Sequence, residues 1–339
     1  MSKEITQKSR LLKAIKKQEV DRQPCICPGG MMNMMFYEIM DKCQCFWPET
    51  HSDPEKMAKL AMALNEEGGF ENYGVPFCMT VEAESMGATV NMGNEYCEPH
   101  IINGVLNSSK ELLALKPIDI TKGRVKTVID AIKILKSKGT EVPIVGNLTG
   151  PISLGGTLID MAILLREMRK SPEEVIQYLD LICDNLINYA KAQIEAGADV
   201  ICISEPSGTG EIMGPKNFSK FTVTCLNKIM DSLDVPVKII HICGNLASVY
   251  DILPQLHCDA FSFDAIVPVN EIKKHLTTQC VMGNISTFAL GTMPAEKIAT
   301  LVGVALKGGV DIVSPACGLP TQTPLKNVQA MVKAVRESK

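Results

Sequence analysis

Short apolar runs rich in β-branched residues recur eight times along this chain, separated by longer amphipathic stretches, and this alternation constrains the fold more than any other feature. The runs lie at 25–28, 75–81, 143–148, 200–204, 237–243, 260–264, 281–285 and 311–315. Strands joined through helical crossovers pair in parallel. The junctions repeat too: EAGAD at 195–199 and KGGVD at 307–311 each end a helix on glycine and enter the next strand through aspartate. A closed barrel needs such tight returns at its lower rim. No GxGxxG follows the first run, so a doubly wound nucleotide-binding sheet has no support. The expected fold is α/β, a single (β/α)8 barrel of the TIM type spanning 1–339. A helical extension is expected over about residues 1–22, and insertions over the barrel mouth at 36–55 and 91–118.

A chain of 339 residues, 46% of them hydrophobic, can fill that core. Its net charge is −4 and no basic run exceeds two residues, so neither a nucleic acid nor an anionic membrane surface is an expected partner. The N-terminus MSKEITQKSRLLKAIKKQEV alternates charge with apolar residues and lacks a signal peptide's apolar core, which places the protein in the cytoplasm. In a long cytoplasmic chain, thirteen cysteines read as reduced thiols or metal ligands rather than disulfides.

Reactive groups of such barrels sit at the C-terminal ends of the strands. The fifth run ends IIHICGN at 239–245, and the two-residue period of a strand turns His241 and Cys243 to one face. The eighth run ends SPACGLP at 314–320 and carries Cys317 just past a strand end. One imidazole and two thiols leave the fourth tetrahedral position of a zinc ion open, as in catalytic zinc sites. On spacing alone, the same residues serve equally well as a core histidine and two small apolar thiols. The pairs Cys25/Cys27 and Cys43/Cys45 have no histidine nearby and read as buried thiols. Glu205 after the fourth run and Asp264 after the sixth are candidate catalytic carboxylates. Glu205 is suited to orient His241, to hold the open metal position, or to take a proton, with a helix cap as its plain alternative. Asn147, Asn284 and Glu84 follow other runs as candidate substrate-binding residues.

HICGN at 241–245, MGNIS at 282–286 and GGVDIVSPACGLPTQTPLKNVQAMV at 308–332 resemble the methylcobamide:coenzyme M methyltransferases of the uroporphyrinogen decarboxylase superfamily. KSRLLKAIKKQEVDRQP at 8–24 and PETHSDPEKMAKLA at 48–61 extend the resemblance nearly end to end. It implies zinc on His241, Cys243 and Cys317, and transfer of a methyl group from a methylated corrinoid to the thiol of coenzyme M. The chain has no DxHxxG corrinoid-binding signature, so the methylcobalamin-type substrate is expected on a separate small corrinoid protein. Met31 and Met32, with Met34, Met35 and Met40, form either an adaptable apolar lip at that site or part of the core. Glu205 stands where the family carries the shorter aspartate, and Glu205→Gln is expected to keep the zinc and slow transfer roughly 10- to 100-fold. A corrinoid-loading enzyme taking methyl from a methoxy or methylamine donor is the main alternative. A barrel that only binds a partner, with a fully protein-liganded structural zinc, is another. Decarboxylation of uroporphyrinogen, with its eight carboxylates, calls for an early arginine cluster, yet no arginine lies between Arg22 and Arg124.

Overall fold

The structure, a computed structural model, describes residues 5–27 and 35–338. Nine strands occur among them: β1 (Tyr73–Val75), β2 (Thr89–Asn91), β3 (His100–Asn103), β4 (Ile144–Thr149), β5 (Val200–Ser204), β6 (Val237–Ile242), β7 (Ala260–Phe263), β8 (Cys280–Ile285) and β9 (Ile312–Pro315). Seven of them form one parallel sheet in the order β1-β4-β5-β6-β7-β8-β9. The eighth position is held by the segment around Cys25, which bridges to Val313 of β9 in parallel. Ile26 N donates to Val313 O at 3.1 Å, and Glu71 N, just ahead of β1, donates to Cys25 O at 2.9 Å. The curled sheet therefore follows (β/α)8 order and is partly open at this seam.

Two runs differ from the sequence reading. The first is one bridge rather than a strand, because the side-chain amide of Asn72 takes over the backbone of Cys27: Oδ1 accepts its N–H at 2.9 Å and Nδ2 donates to its carbonyl at 3.1 Å. The second, expected over 75–81, is the strand Tyr73–Val75, which shares only Val75 with that run. Pro76 has no N–H to extend the ladder, and the chain turns into the helix Val81–Ser85.

Inside the barrel, Val145, Val200, Val237, Ile239, Met282 and Ile312 pack with Leu11 of the N-terminal helix Gln7–Ile15. Thr6 caps that helix by accepting Ser9 N at 3.1 Å. The helix lies across the N-terminal ends of the strands: Lys8 N donates to Glu141 O at 2.9 Å, Lys17 Nζ to Thr277 O at 2.6 Å and Cys280 Sγ to Ala14 O at 3.4 Å. It plugs the lower opening, so access is from the C-terminal mouth.

The repeated aspartate has a shared task at that lower rim. Asp199, Asp259 and Asp311 accept the N–H of Ile144, Lys238 and Val281 at 3.2, 2.7 and 2.8 Å, pinning each strand's entry to the strand beside it. Above the barrel, β2 and β3 form an antiparallel hairpin within the 91–118 insertion and the residues just before it. No helix among the described residues is long and apolar enough to cross a membrane.

Candidate metal centre

His241 ends the inward-facing row that includes Val237 and Ile239, while Ile240 and Ile242 pack into the outer core. Its side chain is fully buried, with Nε2 2.8 Å from Cys243 Sγ. Gly244 then takes a φ of +82°, a left-handed turn that suits glycine and ends the strand directly behind Cys243. Cys317 arrives from the loop after β9, where Ala316 N donates to Ile285 O at 2.8 Å, and its Sγ lies 3.2 Å from that of Cys243. The Nε2 and two Sγ atoms fall within 4.8 Å of one another. Among the described residues, no fourth histidine, cysteine or carboxylate joins this group.

The second nitrogen of His241 is committed: Nδ1 meets Ser262 Oγ at 2.8 Å. Ser262 sits opposite His241 in the β6–β7 register and is itself fully buried. With Nδ1 held at the hydroxyl, Nε2 is the ring atom turned toward the sulfurs. A hydrogen bond from the Cys243 thiol holds Cys317 down at about 4, against burial, and His241 adds to the effect. Cys243 is pushed well up, first by that hydrogen bond and then by burial. Two sulfurs and an imidazole nitrogen form a donor set for a thiophilic divalent ion.

Beside Cys317 opens a cleft of about 640 Å³, walled by Met79, Thr80, Glu98, His100, Thr157 and Pro206 together with the loop after β9. The hairpin wall is fixed from two sides. Tyr96 stacks on Tyr37 with ring centroids 5.0 Å apart, and its carbonyl accepts Thr321 Oγ1 at 2.8 Å. Burial, helped by the charge of Cys317, raises the carboxyl of Glu98 above its ordinary range, and His100 opposes the shift.

The structure thus brings His241, Cys243 and Cys317 together, but several residues named with them do other work. The fully buried Glu205 does not orient His241. Its carboxylate accepts Ile152 N at 2.8 Å, Ser153 N at 3.0 Å, Gly208 N at 3.0 Å and the Ser153 hydroxyl, and so caps the helix Pro151–Ile159. Asp264 is close enough to raise Cys243 further, yet its oxygens are taken by Gly244 N at 3.1 Å and Ile266 N at 3.2 Å. It shapes the loop behind the metal ligands. Asn284 donates to Asp264 O at 3.1 Å and Val267 O at 2.7 Å, bracing the same region from within. Asn147 is completely buried in the barrel wall, donating to Val75 O at 3.0 Å, and does not reach the mouth surface. Glu84 pairs with Arg124 at 2.6 Å in a different groove, lined by Lys116 and Lys122. Met31, Met32 and Met34 fall outside the described residues, whereas Met35 and Met40 are fully buried core and form no lip.

Two residues at the centre escaped sequence reasoning. Ser262 carried a usable signal, since it occupies the inward parity of the strand next to His241. Glu98 carried none, because its place depends on how an irregular insertion folds back over the mouth.

The sequence family described as uroporphyrinogen decarboxylase (URO-D) matches residues 6–338. The methylcobamide:CoM methyltransferase MtaA of Methanosarcina barkeri is 36% identical, over 98% of both chains. MtbA of Methanosarcina acetivorans, of the same description, is 34% identical over 99% of both. Among solved structures, a methyltransferase from Methanosarcina mazei superposes with a TM-score of 0.92 at 36% identity, covering 98% of this chain and 99% of that one. A uroporphyrinogen decarboxylase of Carboxydothermus hydrogenoformans is 26% identical over 65% of this chain.

Proposed function

The chain belongs to the uroporphyrinogen decarboxylase family, and on that footing we propose that it is a zinc-dependent methyltransferase moving a methyl group from a methylated corrinoid to the thiol of coenzyme M. One observation carries the reading: the ligand atoms of His241, Cys243 and Cys317 lie within 4.8 Å of one another, beside a cleft large enough for a small thiol. The donor set fits zinc. Zinc held there would supply the Lewis acidity that keeps a thiol ionised near neutral pH.

The chain's own residues do the rest. Ser262 fixes the imidazole so that Nε2 remains a ligand atom, and Asp264 holds the backbone turn behind Cys243. The cleft beside Cys317 receives the thiol and limits its approach to one side of the centre. With the lower opening plugged by the N-terminal helix, the corrinoid enters over the mouth, presented by a small corrinoid-binding protein. The acceptor and the methyl donor named for the relatives MtaA and MtbA support this assignment of substrates.

The test is metal analysis alongside methylcobalamin demethylation in the presence of coenzyme M, for the wild type and Cys317→Ala. We expect one zinc per wild-type chain, its loss in the variant, and a fall in transfer of about 100-fold or more, beyond the range of an outer-shell defect. Zinc retained in Cys317→Ala, or transfer at the wild-type rate, would overturn the reading.

A further inference from the structure

Carboxylates around the barrel mouth are for the most part spent on the protein itself. Glu82 accepts Thr149 N at 2.9 Å and its hydroxyl at 3.1 Å, Glu84 pairs with Arg124, Glu205 caps a helix, and Asp264 holds two backbone amides. Glu98 is different. Among the described residues no hydrogen bond or ion pair engages its carboxylate, although it is half-buried in the same cleft wall as Cys317. The charged and titratable groups that bear on it are Cys317, across the cleft, and His100, on its own hairpin. The hairpin is pinned by the Tyr96–Tyr37 stack and by Thr321, so the acid is held at the cleft and does not swing free in solvent.

We propose that Glu98 is a catalytic residue of this centre, its carboxylate accepting the proton of the thiol that enters the cleft beside Cys317. The inference rests on the methyltransferase reading above. As the thiol arrives, its S–H bond breaks and an O–H bond forms on Glu98, leaving the electron pair on sulfur. That pair then forms the S–C bond while the Co–C bond breaks, with its two electrons remaining on the corrinoid's cobalt. The proton leaves Glu98 for water through the open side of the cleft.

Calorimetric titration of the zinc-loaded protein with coenzyme M, in two buffers of different ionisation enthalpy, counts the protons released to solvent. Wild-type protein should release about one proton per site at alkaline pH and progressively less as pH falls and Glu98 holds it, whereas Glu98→Gln should release about one across the range at unchanged zinc content. Methyl transfer by Glu98→Gln should fall about 100-fold near neutral pH, the scale of a lost proton acceptor, and recover as pH rises and solvent base takes over. Equal proton counts in the two proteins across the range, or equal rates across pH 6 to 9, would overturn the role of Glu98 and leave the methyltransferase reading standing. Failure of the wild type itself to bind coenzyme M would instead bring down that reading.

Discussion

Ser262 on β7 and Glu205 just past β5, on either side of β6, show how differently two buried polar residues serve the same mouth. Ser262 touches a metal ligand and little else, so Ser262→Ala should leave the fold intact and weaken zinc binding roughly 10- to 100-fold, the usual effect of an outer partner. Competition with a chromogenic chelator measures it, and an unchanged affinity would mean that Ser262 does not set the imidazole. Glu205 behaves oppositely. In Glu205→Gln an amide NH₂ would face the N–H donors of the helix Pro151–Ile159, a cost of about 2–4 kcal/mol in folding stability. Urea unfolding should register that loss, and wild-type stability would show that the carboxylate does not act as a cap. His241 and Cys243 were legible because a strand's two-residue period is local. The task of Glu205 was not, because the helix it caps belongs to the preceding βα unit, and nothing in the residues near 205 announces that packing.

At the scale of elements, the alternation of runs and helices was legible wherever a strand is long and buried, as in β4 through β9. It was less so at β1 and the Cys25 bridge, where a side-chain amide and a proline replace ladder hydrogen bonds. The N-terminal helix was readable as a helix from its charge and apolar spacing, but its place under the barrel was not, since the strands it touches begin more than a hundred residues later. Leu11, 1% exposed and packed against the barrel interior, is the centre of that contact. Leu11→Ala should cost about 2–5 kcal/mol, read as a lowered urea midpoint, while the zinc content of the folded protein stays the same. A midpoint within error of the wild type would show that the helix is an ornament rather than a plug.

For the whole molecule, the barrel order was foreseeable because each βα unit announces itself, whereas the open seam was not, because it joins residues nearly three hundred positions apart. Cys25 and Val313 meet there, and Cys317 follows the last strand. On the ribosome, then, the barrel cannot be completed until β9 has been made. His241 and Cys243 emerge on an unfinished sheet, and their third companion follows only after β9. A growing chain therefore holds two metal-avid side chains before the third exists, and the full ligand set is assembled only when the last strand closes against the first.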